Sequence, residues 1–135
     1  MYLSATSKMS LLFLLLALAY VLGCEVVNDN SAADLSEIRS MLKPYNITKR
    51  LHTNEEYGWA EAEMESLADR LNLFCKSHNV SRTVVLDATN VSPILNDRDS
   101  VIIVFHEYSC AMSGVVFVFS GGVFVKEVRP FTAMR

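Results

Sequence analysis

The sequence predicts an α+β fold in which N-terminal helices pack on a mostly antiparallel sheet of about three to four strands. Two observations carry this prediction. Apolar residues recur at spacings of three and four in the first half of the chain, and runs of β-branched and aromatic residues fill the second half. Helices followed by strands are typical of α+β proteins, whereas alternating helices and strands indicate a parallel sheet.

The N-terminus has the pattern of a secretory signal peptide. Residues 9–22 form an uncharged apolar run behind Lys8. The run is short for a membrane span and has the length of a signal-peptide core. Cleavage is expected after Gly23, with Ala19 as the alternative. The predicted organisation is therefore a signal peptide at 1–23, a lead-in at 24–33, a single domain at 34–130 and a tail at 131–135.

Two helices are predicted next. Ser31 with Asp34 marks the start of the first helix, and Pro44 either ends or bends it. Thr53 with Glu56 is a capping-box pattern that opens the second helix. An apolar stripe at helical spacing predicts its buried face: Ala60, Met64, Leu67, Ala68, Leu71, Phe74 and Cys75. Trp59, near the helix start, is interpreted as a core anchor.

Four β-type segments complete the fold. The runs at 83–86 and 101–105 predict two strands, and the second is too apolar for an exposed edge. The runs at 115–119 and 123–128 flank Gly121-Gly122 and predict a hairpin with a two-residue glycine turn.

The net charge limits the classes of binding partner, and the glycosylation sequons indicate the compartment. The net charge is −3 over 135 residues, and loss of Lys8 with the signal makes it −4, which does not suggest nucleic acid or an anionic membrane surface. No membrane span is expected after signal removal. Three sequons, at Asn46, Asn79 and Asn90, favour a eukaryotic secretory route. A secreted, extracellular glycoprotein is the resulting prediction.

The three cysteines are Cys24, Cys75 and Cys110. In an oxidising compartment Cys75 and Cys110 are the natural disulfide pair. Cys24 is either removed with the signal or left as an odd thiol at the new N-terminus.

Residues that could support catalysis lack the required patterns. His52, His78 and His106 form no H-E-x-x-H motif, and Ser113 has no G-x-S-x-G context. The acidic residues Glu61, Glu65 and Asp69 repeat every four positions, which predicts a solvated helix face instead of a metal site. We therefore expect no catalytic residues, no metal and no cofactor.

Two segments resemble the CAP domain of the cysteine-rich secretory and venom-allergen family. The first is IRSMLKPYNITKRL (38–51), which is followed by residues at family spacing: Trp59, Met64, Glu65, Ala68 and Cys75. Asn46 and Arg50 match an Asn and an Arg of the family's first helix. The second segment, VIIVFHEYSCAMSGVVFVFSGGVF (101–124), is similar to the family's late strands and Cys-containing loop.

This resemblance implies a shortened CAP-like α/β/α sandwich, similar to small members that parasitic nematodes secrete. His78 follows Cys75 near the place of a family metal-binding His, one residue early, and is a weak cleft candidate. The other metal ligands of the family are missing, so the resemblance implies no metal, and it implies that Cys75 pairs with Cys110. The resemblance implies a non-enzymatic function that acts through the protein surface, in host–parasite interaction or immunomodulation. The alternative is binding of a small apolar ligand such as a sterol or fatty acid.

Overall fold

The structure is a computed structural model, which describes residues 30–45 and 47–134. Its helices are α1 (Ser31–Leu42), α2 (Asn54–His78) and α3 (Arg82–Ala88), and a 3₁₀ turn (Lys43–Tyr45) follows α1. Its strands are β1 (Lys49–Arg50), β2 (Leu95–Asn96), β3 (Ser100–Tyr108), β4 (Ala111–Ser120) and β5 (Phe124–Met134). The predicted α+β class, with helices before a mostly antiparallel sheet, is confirmed.

Local signals set the ends of α2. Thr53 accepts a hydrogen bond from the Glu56 backbone N–H at 3.0 Å, and Glu56 accepts from the Thr53 N–H at 3.1 Å, so the predicted capping box is formed. Asn79 ends the helix in the left-handed conformation, with φ of 50°. Asparagine tolerates this conformation better than most residues because its short side chain can bond locally.

The sheet has three long strands and two short ones. β3 pairs antiparallel with β4, and β4 with β5. The two-residue strands β1 and β2 both pair with β3 along its other edge, and the β1–β3 pair is parallel. The sheet therefore has five strands where about three to four were predicted, because two short segments extend it beyond β3.

The core lies between the helices and one face of this sheet. The predicted stripe of α2 is buried except for Phe74, which is half-buried, and Met64, Leu67 and Leu71 are fully shielded from solvent. These side chains belong to the same apolar cluster as Phe105 of β3 and Phe117 of β4. Each Å² of apolar surface that this contact removes from water stabilises the domain by about 25 cal/mol.

The β3–β4 pair has a register shift between Val104 and His106. Opposite it stands Gly114, where an added Cβ would lie 1.8 Å from the Ile103 carbonyl oxygen. Only glycine fits this close approach of the two backbones. Phe105 is the extra residue of β3 at this shift, and it interrupts the alternation of side chains between the two faces. His106 therefore faces the helices, as Phe105 does.

The free edge of β5 is partly covered. Val125 N–H donates to the Val80 carbonyl at 2.9 Å, and Val128 N–H donates to the Asn72 side-chain oxygen of α2, also at 2.9 Å. Pro130 has no N–H to offer. These features reduce the number of open donors on the edge, which lowers its tendency to pair with another strand.

Several local predictions are wrong. Residues 83–86 lie in α3, because Ser81 caps a helix there by accepting from the Val84 N–H and the run packs Val84 and Val85 into the core. Trp59 is 62% exposed and is not a core anchor. Residues 131–134 belong to β5 and are not a tail. The predicted signal peptide at 1–23 and Asn46 lie outside the described residues.

The predicted hairpin with its glycine pair is confirmed, but Val123 lies in the turn and the second strand begins at Phe124. Gly121 and Gly122 have φ of 60° and 77°, and the Val123 N–H donates to the Ser120 carbonyl at 3.2 Å. Both glycines occupy a conformation that other residues rarely adopt, so the turn needs this pair.

Candidate functional site

A groove between α1 and α2 is the best candidate for a binding site. Its volume is about 380 Å³. We call it the α1–α2 groove and define it by its lining residues: Glu37, Met41, Arg70, Leu73, Phe74, Ser77 and His78. Leu73 is 72% exposed although it is a large apolar residue. An apolar surface bordered by Glu37, Arg70 and His78 suits a partner with an apolar side chain and nearby polar groups.

His78 forms one end of the groove, and two contacts hold its ring. Nδ1 lies 3.0 Å from the Asp34 carboxylate, and Asp34 is buried in the first turn of α1. The ring of Phe74 stacks on the imidazole, with centroids 4.1 Å apart and planes at 22°. His78, the weak cleft candidate, therefore lines a groove and also joins the end of α2 to the start of α1.

Cys75 lies behind this pair and is fully buried. Burial, with a smaller effect from the Asp34 carboxylate, raises the pKa of the Cys75 thiol to about 12. The thiol is therefore protonated at neutral pH, and a protonated thiol is a poor nucleophile.

The predicted disulfide between Cys75 and Cys110 is not formed, and both thiols are free. Cys110 is exposed in the turn between β3 and β4. That turn meets the first turns of α2, where the Tyr57 hydroxyl donates to the Met112 carbonyl at 2.9 Å and the Tyr57 ring stacks on Tyr108.

Cys75 lies 18 residues beyond Tyr57 on the same helix, which is about 27 Å at the helical rise. A disulfide needs Cα atoms within roughly 7 Å. The two cysteines are thus at opposite ends of α2. This corrects the pairing that the secretory pattern and the CAP resemblance both suggested.

A second polar cluster lies under the N-terminal half of α2. The Ser113 hydroxyl is 3.3 Å from Nδ1 of His106, across the β3–β4 pair. Nε2 of His106 lies 3.9 Å from a Glu63 carboxylate oxygen. Burial lowers the pKa of His106; the Glu63 carboxylate opposes the shift, but it is half exposed and does not outweigh burial.

This Ser–His–Glu arrangement differs from that of a working hydrolase. Ser113 is 0% exposed, so a substrate cannot reach its oxygen without an opening of the sheet. Neutral His106 accepts the Ser113 hydrogen bond when its proton is on Nε2. The cluster satisfies buried polar groups in the core, which is the usual role of such contacts.

The two described sequons lie at the surface. Asn79 is exposed at the C-terminal end of α2, next to His78. Asn90 is exposed and lines a second groove of about 360 Å³ together with Arg39 and Lys43. Glycosylation at both positions stays a prediction.

Among residues 30–45 and 47–134, no cluster of three or more His, Cys, Asp or Glu side chains could hold a metal ion. In the same part of the chain, no helix has the length and apolarity needed to cross a membrane.

Searches of protein-family models, curated proteins and solved structures found no match to this chain. The resemblance to the CAP domain therefore stays a prediction. Of its residues, Arg50 pairs with Glu107 at 3.7 Å on the surface of the sheet, and Ala68 is buried in α2.

The sequence reasoning did not identify Leu73 or Arg70 as site residues. One signal was present: Leu73 follows the buried Leu71 by two positions, which is about 200° around a helix. It must therefore point away from the stripe, and a large apolar residue there indicates a second contact surface.

Proposed function

We propose that this chain is a secreted, non-enzymatic binding protein that recognises an extracellular protein partner through the α1–α2 groove. The observation that carries the proposal is the exposure of Leu73 beside Phe74 and Met41, in a groove edged by Arg70 and Glu37. We propose a host molecule as this partner, following the resemblance to secreted CAP-like proteins.

The shape of the groove favours a protein segment over an enclosed ligand. Sites for small molecules usually bury most of the ligand surface within a cavity. The α1–α2 groove lies instead along the surface between two helices, with Leu73 mostly in solvent. Such a groove suits an apolar side chain presented by a folded or extended partner.

The reactive groups support a binding role in preference to catalysis. The thiol nearest the groove, Cys75, is buried and protonated. His78 makes its contacts with Asp34 and Phe74, where it fixes the groove wall. The side chains that the groove presents to a partner are mainly those of Leu73, Met41 and Arg70.

Peptide display tests this proposal. A random peptide library is selected on the purified protein, and enriched peptides are measured against wild type and Leu73→Asp. We expect peptides with an apolar anchor whose affinity falls by about tenfold or more in Leu73→Asp. Ile94→Asp is the matched control, because Ile94 is 54% exposed but outside the groove. Enriched peptides that bind both variants equally would overturn the proposal.

The alternative, a small apolar ligand, is tested on the same variants. Native mass spectrometry after exposure to sterol and fatty acid would show a mass shift in wild type that Leu73→Asp reduces. A bound lipid that survives purification, together with a display experiment that yields no peptide, would replace the protein-partner proposal.

A further inference from the structure

The outer face of α2 carries a line of residues that contact no other element of the described chain closely enough to bury them. We call this line the α2 ridge and define it by Trp59, Ala62, Ser66 and Leu73. All four are exposed, and Trp59 and Leu73 are 62% and 72% exposed. Two large apolar side chains separated by two small residues give a knob at each end and a shallow section between them.

The two apolar ends of the ridge are equidistant from Ser66. Trp59 precedes Ser66 by seven residues and Leu73 follows it by seven. Seven residues are about 10.5 Å along a helix and return to nearly the same face, about 20° away. If two copies of α2 pack antiparallel about a two-fold axis at Ser66, Trp59 of each copy therefore lies level with Leu73 of the other.

The same operation directs Trp59 toward the groove. Arg70 and Phe74 lie on one side of the ridge, where α1 supplies Met41. Around the helix axis, Trp59 is offset from Ser66 by about 20° toward the Arg70 side, and Leu73 is offset by the same angle toward the other side. The two-fold axis keeps each side of the ridge facing the same side of the second copy. Trp59 of the second copy therefore lies on the Arg70 side. A groove of about 380 Å³ has room for its indole ring.

Charges on the flanks of the ridge complement each other under this symmetry. Glu63 and Arg70 lie on the same flank, three residues before and four residues after Ser66. Glu63 of one copy therefore faces Arg70 of the other, twice in the dimer. On the opposite flank, Glu55 comes level with Lys76 of the second copy. Asp69 lies opposite Ala62 of the second copy, at the rim, where its carboxylate stays in water.

We propose that the α2 ridge is a homodimer interface in which Trp59 of each copy enters the α1–α2 groove of the other. The inference rests on the proposed function in one respect, namely that the groove accepts an apolar side chain from a protein. It names a second copy of this chain as one such partner. In the dimer both grooves are filled, so an external partner must compete with Trp59.

The experiment uses the purified full chain and two readouts. Sedimentation velocity from about 1 µM to about 500 µM measures the monomer–dimer equilibrium. Trp59 is the single tryptophan of the chain, so tryptophan fluorescence reports on the surroundings of this residue. We expect the mass to double and the emission to shift to shorter wavelength over the same concentration range. A monomer mass at all concentrations, with constant emission, would overturn the inference.

Charge exchange separates a specific interface from general loss of fold. Glu63→Arg and Arg70→Glu should each raise the dimer dissociation constant about tenfold or more, and the double variant should return to within about threefold of wild type. Ile94→Asp should leave the equilibrium unchanged. Weakening that the double variant does not reverse would contradict the proposed pairing.

The two proposals fail independently. A monomeric protein whose selected peptides still depend on Leu73 would leave the proposed function intact and remove the dimer. A dimer that forms through the ridge, but whose dissociation no selected peptide promotes, would support the self-association and count against an external partner.

Discussion

Nδ1 of His78 lies 3.0 Å from the carboxylate of Asp34, and this contact joins the last residue of α2 to the first turn of α1. Replacing Asp34 with Ala removes the carboxylate that lies 3.0 Å from Nδ1 and opens space in the core. We expect a loss of about 1–3 kcal/mol in the free energy of unfolding, measured by urea denaturation.

The matched control for this prediction is Asp69→Ala, which removes an exposed carboxylate of α2. Its effect should stay within about 0.5 kcal/mol. Similar losses in both variants would show that the Asp34–His78 contact does not stabilise the fold.

The free cysteines predict that reductant does not change thermal stability. Cys75 and Cys110 lie at opposite ends of α2, so there is no bond between them to break. Melting curves by circular dichroism should coincide with and without reductant. A lower melting temperature in reductant would restore the disulfide as a structural element.

Thiol reactivity distinguishes the two cysteines. Cys110 is exposed and should react with an aromatic disulfide reagent in the native protein, whereas buried Cys75 should react only after unfolding. Cys110→Ser should remove one native-state thiol and leave the slow, unfolding-dependent reaction unchanged. Rapid labelling of Cys75 in the folded variant would contradict its burial.

The buried His106 predicts a loss of stability as the pH falls below 6.5, the ordinary pKa of histidine. Burial lowers the pKa of folded His106, so below 6.5 the unfolded chain binds a proton that the folded chain does not. Stability is therefore full above 6.5 and declines as the pH drops.

His106→Gln tests this pH dependence because glutamine keeps a polar group near Ser113 and does not titrate. Urea denaturation at a series of pH values should show a flatter profile for this variant between about pH 6.5 and about pH 5. The carboxylates with lowered pKa values, Glu56 and Asp97, act below that window. Parallel profiles for wild type and variant would assign the decline to other groups.

The close approach of two strands at Gly114 predicts that substitution of this residue strongly destabilises the fold. An added Cβ would lie 1.8 Å from the Ile103 carbonyl oxygen, so Gly114→Ala must separate two paired strands. We expect a loss of about 3 kcal/mol or more in unfolding free energy. Gly58→Ala is the control: it has open space within α2, and alanine there should raise stability by about 0.5–1 kcal/mol.

Most of the α2 helix was predictable from neighbouring residues. The capping box of Thr53 and Glu56 depends on contacts three residues apart, and the buried stripe depends on helical periodicity. The glycine turn at 121–122 is equally local, since positive φ selects the residue type. Each of these features depends on residues a few positions apart, so the sequence alone is sufficient to predict them.

Local signals failed where distant contacts outweighed them. The run at 83–86 has strand propensity, but Ser81 caps a helix there and the helix buries Val84 and Val85 against the core. Propensity differences of a few tenths of a kcal/mol per residue are smaller than the gain from such burial. Sequence patterns over a few residues also could not predict which residue contacts each candidate site residue. The His78–Asp34 contact, for example, joins residues that are 44 positions apart.

The residue pattern established the fold class, the start of α2 and the hairpin, because periodicity and turn chemistry act over a few residues. Three-dimensional packing decided that Cys75 and Cys110 are separated by the length of α2, that Trp59 faces solvent and that Leu73 borders a groove. The reason is geometric: a helix has only one face to bury, and the position of the sheet and of α1 against α2 determines which other residues stay exposed and which ends meet.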